Sequence, residues 1–459
     1  MVARIVRDDE VAGSNPVIPT TLEIGLLTQQ WVSSFFIFDY NKEVNIMSSR
    51  LANLLVCRNL LDDPIILELA VSLGKKADPQ TEYRLASRLI AEAERLGFSG
   101  NLIRAYIVYR MIVDENLVAR TMELSNGKIG RSLRQAFEHD IEILSPFFTA
   151  QPSEYLVTEI LDDYEPTKPP LIKRLEGAAV LYAEFSKKWT VSSLADAFLG
   201  YYRNYGSGDI AVYRAFRWDK EKGLVGIENY DPIRFTDLIG YMDQKNELKR
   251  NTLAFLSDRP ANNVLLVGAR GTGKSSSVKA LANEYFTHGL RLVQLTKPQL
   301  VTLPELLKTL RRFAAKKFIV FLDDLSFEDT EPEYKYLKSS IEGGVESLPP
   351  NVLIYATSNR RHLIKETWRD REQGDEVFRV DSANETISLS DRFGLVINYR
   401  APNQNEYLAI IDHGLRQNGI ILDPEELRLL GHRWEIEHSG RNGRTAKQFV
   451  DYYLGQNQK

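Results

Sequence analysis

The stretch NVLLVGARGTGKSSSVKAL, Asn263 to Leu281, decides the fold. Gly268, Gly271, Gly273, Lys274 and Ser275 spell G-x-x-x-x-G-K-S. Glycines at this spacing let successive backbone N–H groups turn inward around phosphate oxygens. The apolar VLLV before the loop predicts a strand and KSSSVKALANEYF after it a helix, whose N-terminal end carries the positive pole that an anion needs. The loop from Gly268 through Ala269, Arg270, Gly271, Thr272, Gly273, Lys274, Ser275 and Ser276 is therefore expected to bind the phosphates of ATP. Lys274 reaches the β- and γ-phosphates and Ser275 supplies a hydroxyl to Mg2+.

Working outward, a nucleotide site of this type needs a carboxylate at a strand end. FIVFLDDL (318–325) provides it. The apolar run places the strand in the core, and Asp323 emerges at its carboxyl end as a Mg2+ partner. Asp324 is expected to orient the attacking water, with Glu328 as a candidate helper. Apolar runs at 263–267, 292–296, 318–322, 352–357 and 395–399 alternate with helical stretches, which argues for an α/β core with a largely parallel sheet. From Asn403 the pattern returns to amphipathic helices, the signature of a helical lid.

Upstream, RLANLLVCRNLL and EYRLASRLIAEAERLG carry apolar residues at three- and four-residue spacing, so an all-helical N-terminal domain is expected. TVSSLADAFLGYYRNYG predicts a helix capped by Thr190 or Ser192 and ending near Gly206. YGSGDIAVYRAFRWD combines a turn with the alternation of an edge strand and predicts a connector. The resulting division is 1–20 disordered, 21–204 helical domain, 205–237 connector, 238–401 nucleotide-binding core and 402–459 helical lid. A length of 459 residues suits about three domains. Met47 offers an alternative start to the chain.

The bulk numbers narrow the function classes. With 58 basic and 62 acidic residues the net charge is −4, so nothing indicates a dedicated nucleic-acid coat, although a local basic patch remains compatible. A lone cysteine, Cys57, permits no intrachain disulfide and suits a reducing, cytoplasmic compartment. The apolar run WVSSFFIF (31–38) is too short to cross a bilayer and is expected to pack in a helical core. His432 and His438, six apart, fall on different helix faces and form no zinc pair.

Beyond these motifs, residues from about Leu238 to Leu454 resemble the AAA+ ATPase superfamily. LIGYMDQKNELKRNTLAFL is similar to the segment preceding the phosphate loop there, and the resemblance puts Ile239, Gly240 and Tyr241 near the adenine. VLIYATSNRR resembles the strand with the polar sensor, which implies that Asn359 contacts the γ-phosphate or the lytic water. LSDRFGLVINY resembles the arginine-finger region and implies that Arg392 reaches into a neighbouring subunit. GRNGRTAKQF resembles the second sensor helix and implies that Arg444 faces the phosphates. Arginines delivered from a lid and from a neighbour neutralise charge that develops in phosphoryl transfer.

A closer resemblance is to the bacterial family of predicted AAA+ ATPases called domain of unknown function 815. It is carried by YGSGDIAVYRAFRW, PANNVLLVGARGTGKSSSVKAL, FLDDLSFE, YATSNRRHL, SLSDRFGL and GRTAKQFVDY. The chain departs from it at Arg270, where an acidic or polar residue is expected, and in its N-terminal extension. The implied protein is an oligomeric ATPase that couples ATP hydrolysis to remodelling of a partner, with the helical domain recognising a protein client. The alternatives are a nucleotide-gated binding module with little hydrolysis, a phosphotransferase, and a DNA-remodelling, helicase-loader-like ATPase. TKPQLVTLPELL lacks the aromatic-apolar-Gly loop of threading unfoldases, which disfavours that role.

Overall fold

The computed structural model describes residues 46–74, 78–167, 177–328, 331, 333–342, 348–359, 363–365, 392–438 and 440–457. The expectations for residues 1–45, including the apolar run 31–38, lie outside them.

Helices form where caps and apolar periodicity agree. The helical part comprises α1 (Ile46–Leu51), α2 (Pro64–Gly74), α3 (Pro79–Leu96), α4 (Leu102–Val113), α5 (Leu117–Leu124), α6 (Arg131–Thr149), α7 (Pro152–Tyr155), α8 (Ala178–Phe185), α9 (Val191–Asn204) and α10 (Gly208–Val212). Helix α3 starts on Asp78, whose carboxylate accepts from the Thr81 N–H at 3.1 Å, and stops at Gly97 with φ 77°. Thr190 caps α9 in a reciprocal box with Ser193. Asp140 on α6 is fully buried, yet it accepts the N–H groups of Leu55, Val56 and Cys57, each at 2.8 Å. That carboxylate satisfies a turn two of whose amides are buried.

The core sheet contains β1 (Ala215–Asp219), β2 (Gly223–Gly226), β3 (Val264–Gly268), β4 (Leu290–Gln294), β5 (Lys317–Leu322), β7 (Val352–Ser358) and β9 (Leu395–Tyr399), in the order β2-β1-β4-β5-β7-β3-β9. All neighbours are parallel except the β1–β2 hairpin. A separate two-residue pair, β6 (Phe327–Glu328) with β8 (Ile364–Lys365), follows β5 and β7. Val264–Val267, Phe318–Leu322 and Val352–Ser358 are buried throughout. A sheet covered on both faces requires such unbroken runs. Helices α11 (Met242–Leu256), α12 (Lys274–Tyr285), α13 (Leu303–Arg311) and α14 (Glu333–Glu342) belong to this core.

The segment 205–237 differs from a simple connector. It contributes two strands to the core sheet, and β1 lies between β4 and β2 rather than at the edge. The alternation in AFRWD reflects a strand covered mainly on one side, and the hairpin turn at Lys220 to Gly223 adds the true edge.

The lid is α15 (Gln404–Gln417), α16 (Pro424–Glu437) and α17 (Gly443–Asn457) around Tyr407, Ile411, Leu415, Ala446, Phe449 and Val450. The fold is thus an α/β phosphate-loop core with a C-terminal helical lid, preceded by an all-helical region.

Helical region and core meet through buried cations. Arg291 on β4 is fully buried and donates to the carbonyls of Tyr205 (2.8 Å), Ile210 (2.7 Å), Phe286 (3.0 Å) and Leu290 (2.8 Å). Lys316, just before β5, donates to Tyr202 (3.0 Å) and Arg203 (2.5 Å) in the last turn of α9. Cations at a helix C-terminus satisfy its orphan carbonyls and its dipole together. Burial pulls the Lys316 ammonium down to about 7, with Arg291 adding to the shift and Glu123 opposing it.

Candidate functional site

Strands β3, β5 and β7 end side by side, and the polar residues that follow them converge. Gly268 ends β3 at φ 144°, paired with Tyr399 of β9. A Cβ there would lie 1.9 Å from the Tyr399 carbonyl oxygen, so only glycine lets the loop leave the sheet at this point. The loop then turns into α12 through Gly271 and Gly273, both at positive φ.

Lys274 opens α12 with its side chain folded back into the loop. It is 6% exposed, and its Nζ donates to Gly268 O at 2.8 Å, Ala269 O at 2.7 Å and Asn359 Oδ1 at 3.1 Å. Burial lowers its pKa, opposed by the charges of Asp324 and Asp323. Ser275, one position on, donates from Oγ to Asp323 Oδ1 at 2.5 Å. Thr357 on β7 donates from Oγ1 to the same carboxylate oxygen at 2.7 Å and accepts from the Asp324 N–H at 2.9 Å. Asp324 sits at φ 51°, a conformation uncommon outside glycine. Its Oδ1 accepts from Asn359 Nδ2 at 2.5 Å, and its Oδ2 lies 3.9 Å from Arg270 Nη2. A continuous hydrogen-bonded set thus runs from Lys274 through Asn359 to Asp324, and through Thr357 to Asp323 and Ser275.

The elements around this set supply shape. Leu238 lies 3.7 Å from where a Cβ on Gly273 would stand. Beside it Phe235, Ile239, Gly240, Met242 and Lys249 line a cleft of about 370 Å3. Lys245 donates to Leu238 O at 2.6 Å and fixes that segment. Tyr241, at φ 56°, donates to Arg400 O at 2.8 Å, and its ring centroid is 5.1 Å from that of Tyr399. From the lid, the Gly443 N–H donates to Gly271 O at 2.8 Å. A Cβ on Gly271 would stand 2.5 Å from Asn442 Oδ1. The N-terminus of α17 therefore rests on the phosphate loop.

Of the residues singled out from sequence, Lys274, Ser275, Asp323, Asp324 and Asn359 form one connected set, with Arg270 beside it. Ile239 and Gly240 line the neighbouring cleft, whereas Tyr241 is engaged by Arg400 and Tyr399 instead. Ala269 and Arg270 are exposed, Thr272 is buried, and Ser276 is half-buried on the first turn of α12. Arg444 is exposed on the first turn of α17, next to the residue bonded to Gly271. Arg392 is exposed just before β9. The Glu328 backbone lies in β6.

Sequence reading missed Thr357, Asn442 and Gly443. Thr357 is the last residue but one of β7 and stands two before Asn359, which follows the strand, and YATSN carried that signal. The lid contact, between residues far apart in sequence, left none.

The donor set suits a hard divalent cation. A hydroxyl and a carboxylate already 2.5 Å apart are oxygen ligands of the kind Mg2+ takes, the rest coming from phosphate and water. Among the described residues no group of three or more His, Cys, Asp or Glu forms a self-sufficient metal cage. Nor is any helix there long and apolar enough to cross a membrane.

Solved structures with a similar arrangement include the Thermotoga maritima RuvB Holliday junction branch migration motor. It is 13% identical, with 48% of this chain and 72% of that chain covered, at a TM-score of 0.32. A substituted form of the same protein is 15% identical, with 49% and 67% covered, at 0.35. No curated protein matches in sequence. The model of the family described as "Protein of unknown function (DUF815)" matches residues 211–457, more than half of the chain. From β1 to the last lid helix, the chain belongs to that family.

Proposed function

We propose that this chain binds ATP with Mg2+ and hydrolyses it to ADP and phosphate, as an AAA+ ATPase working in an oligomer on a protein client. The observation that carries the reading is the connected set Lys274–Asn359–Asp324–Thr357–Asp323–Ser275 at the ends of three parallel strands. A structural turn has no use for a buried lysine, two carboxylates and a sensor-type amide drawn together.

On this reading Lys274 exchanges the carbonyls of Gly268 and Ala269 for phosphate oxygens, and the loop amides and the α12 N-terminus hold the remainder. Ser275 and Asp323 hold Mg2+, which when bound supplies charge neutralisation on the phosphates. Asp324 and Asn359 orient a water. The water oxygen bonds to the γ-phosphorus, the bond from that phosphorus to the β–γ bridging oxygen breaks, and the water proton passes to Asp324 or a phosphate oxygen. Arg444 from the lid and Arg392 from a neighbouring copy neutralise the charge that builds on the transferred group. The helical region is the surface offered to the client.

The test is ATP hydrolysis per subunit against protein concentration, with Asp324→Asn in parallel. A rate that climbs steeply with concentration, and a variant that still binds ATP but turns over at least about 100-fold more slowly, are the expected results. Full activity in the variant would remove Asp324 from its role. Tight binding without turnover at any concentration would leave a nucleotide-gated module instead, and no binding would end the reading.

A further inference from the structure

Arg270 is the residue of the loop that the connected set does not absorb. It stands between Ala269 and Gly271, where a phosphate loop needs backbone rather than side chain. Its side chain is 78% exposed, and its Nη2 lies 3.9 Å from Asp324 Oδ2. The other oxygen of that carboxylate is held by Asn359, whose own oxygen accepts from Lys274. Arg270 therefore approaches the Asp324 oxygen that Asn359 does not hold. Its charge is felt at Lys274, where it opposes the two aspartates.

We propose that Arg270 is a nucleotide-state sensor: it pairs with Asp324 until a terminal phosphate displaces that carboxylate, and then binds the phosphate. The inference rests on the ATP-site reading above. An exposed pair at 3.9 Å is weakly held and screened by water, which is what an exchangeable contact requires. A terminal phosphate brings more charge than one carboxylate and matches the planar guanidinium with paired oxygens. A diphosphate leaves the space next to Asp324 without an anion, so Arg270 stays where it is. With a triphosphate it turns away, and Asp324 Oδ2 becomes available to water. The loop thereby carries its own discrimination between ATP and ADP.

Equilibrium binding with Mg2+ tests this without turnover. ADP and a non-hydrolysable β,γ-imido analogue of ATP are titrated into the full chain, Arg270→Ala, Asp324→Asn and the double variant. Arg270→Ala should weaken the triphosphate analogue about tenfold and change ADP less than about twofold. Asp324→Asn should tighten the analogue about threefold or more, and most of that gain should vanish in the Arg270→Ala background. Equal weakening of both nucleotides by Arg270→Ala, or a gain from Asp324→Asn that survives it, overturns the proposal while leaving the ATP site standing. If the unaltered chain binds neither nucleotide, the ATP-site reading falls and takes the proposal with it.

Discussion

Two buried lysines lie at opposite ends of strand β5. Lys316, 0% exposed, precedes the strand, and Lys274, 6% exposed, packs against residues near its other end. Both donate to backbone carbonyls. The acceptors of Lys316 belong to α9 of the helical region, set by the tertiary structure. The acceptors of Lys274 belong to its own loop and to Asn359. Burial lowers both pKa values, but the charges beside them differ. Two nearby aspartates oppose the shift at Lys274, while Lys316 faces Arg291 and only one carboxylate, Glu123, itself pushed up by burial. The same side chain is thus a rivet between two regions at one end and, on the function proposed above, a placeholder for an anion at the other.

The sharpest way to break this contrast is to truncate each lysine. Lys274→Ala should weaken ATP binding by roughly 2–5 kcal/mol, with the melting temperature nearly unchanged. A variant that melts early but binds normally would place both lysines in one class. Lys316→Ala should show the reverse. It takes a donor from the Arg203 carbonyl and a second donor from that of Tyr202, which keeps its bond from the Gly206 N–H, and it leaves a gap, costing about 2–4 kcal/mol in denaturant unfolding, with nucleotide affinity of the folded protein unchanged.

Thr357→Val probes the site end more gently. It keeps the shape but removes the hydroxyl joining Asp323 to the Asp324 backbone. A loss of about 1–3 kcal/mol in activation terms is expected, read as turnover falling about 5- to 150-fold while ADP affinity holds. Equal loss in both would make Thr357 a binding residue rather than a positioning one. The smallest effect is in pH. Because the folded pKa of Lys316 is depressed to about 7 from 10.5, the unfolded chain binds the extra proton between those values. Stability from this group therefore rises as pH climbs from 7 towards 10, by on the order of 1 kcal/mol per pH unit. Melting temperatures of the natural chain and Lys316→Met across that range should diverge accordingly. Parallel curves would assign the pH dependence to other groups.

Much of the core was legible because a doubly covered parallel sheet leaves an unmistakable record. FIVFL, VLIYAT and LVINY fall in β5, β7 and β9, and Asp323 follows β5 as the motif required. The start of β4 was misread by two residues for a physical reason. Arg291 interrupts the apolar run, yet it is fully buried, satisfied by carbonyls that reach it in part from Tyr205 and Ile210. Periodicity cannot foresee a charge whose partners arrive through tertiary structure. The same holds at the site: Lys274, Ser275 and Asp323 were readable from spacing, whereas the seating of Asn442 and Gly443 on Gly271 was not. The bond from Asn359 to Asp324 lay between, since both residues were singled out but their pairing depends on how β5 and β7 align.

One consequence follows from β1. The chain leaves the helical region and passes through α10 straight into a strand hydrogen-bonded to β4, so the join is woven into the sheet. A flexible tether would let the two parts tumble apart; this one carries the chain from the helical region directly into the sheet. Gly271, on which the lid rests, follows β3 of the same sheet that β1 ties to the helical region.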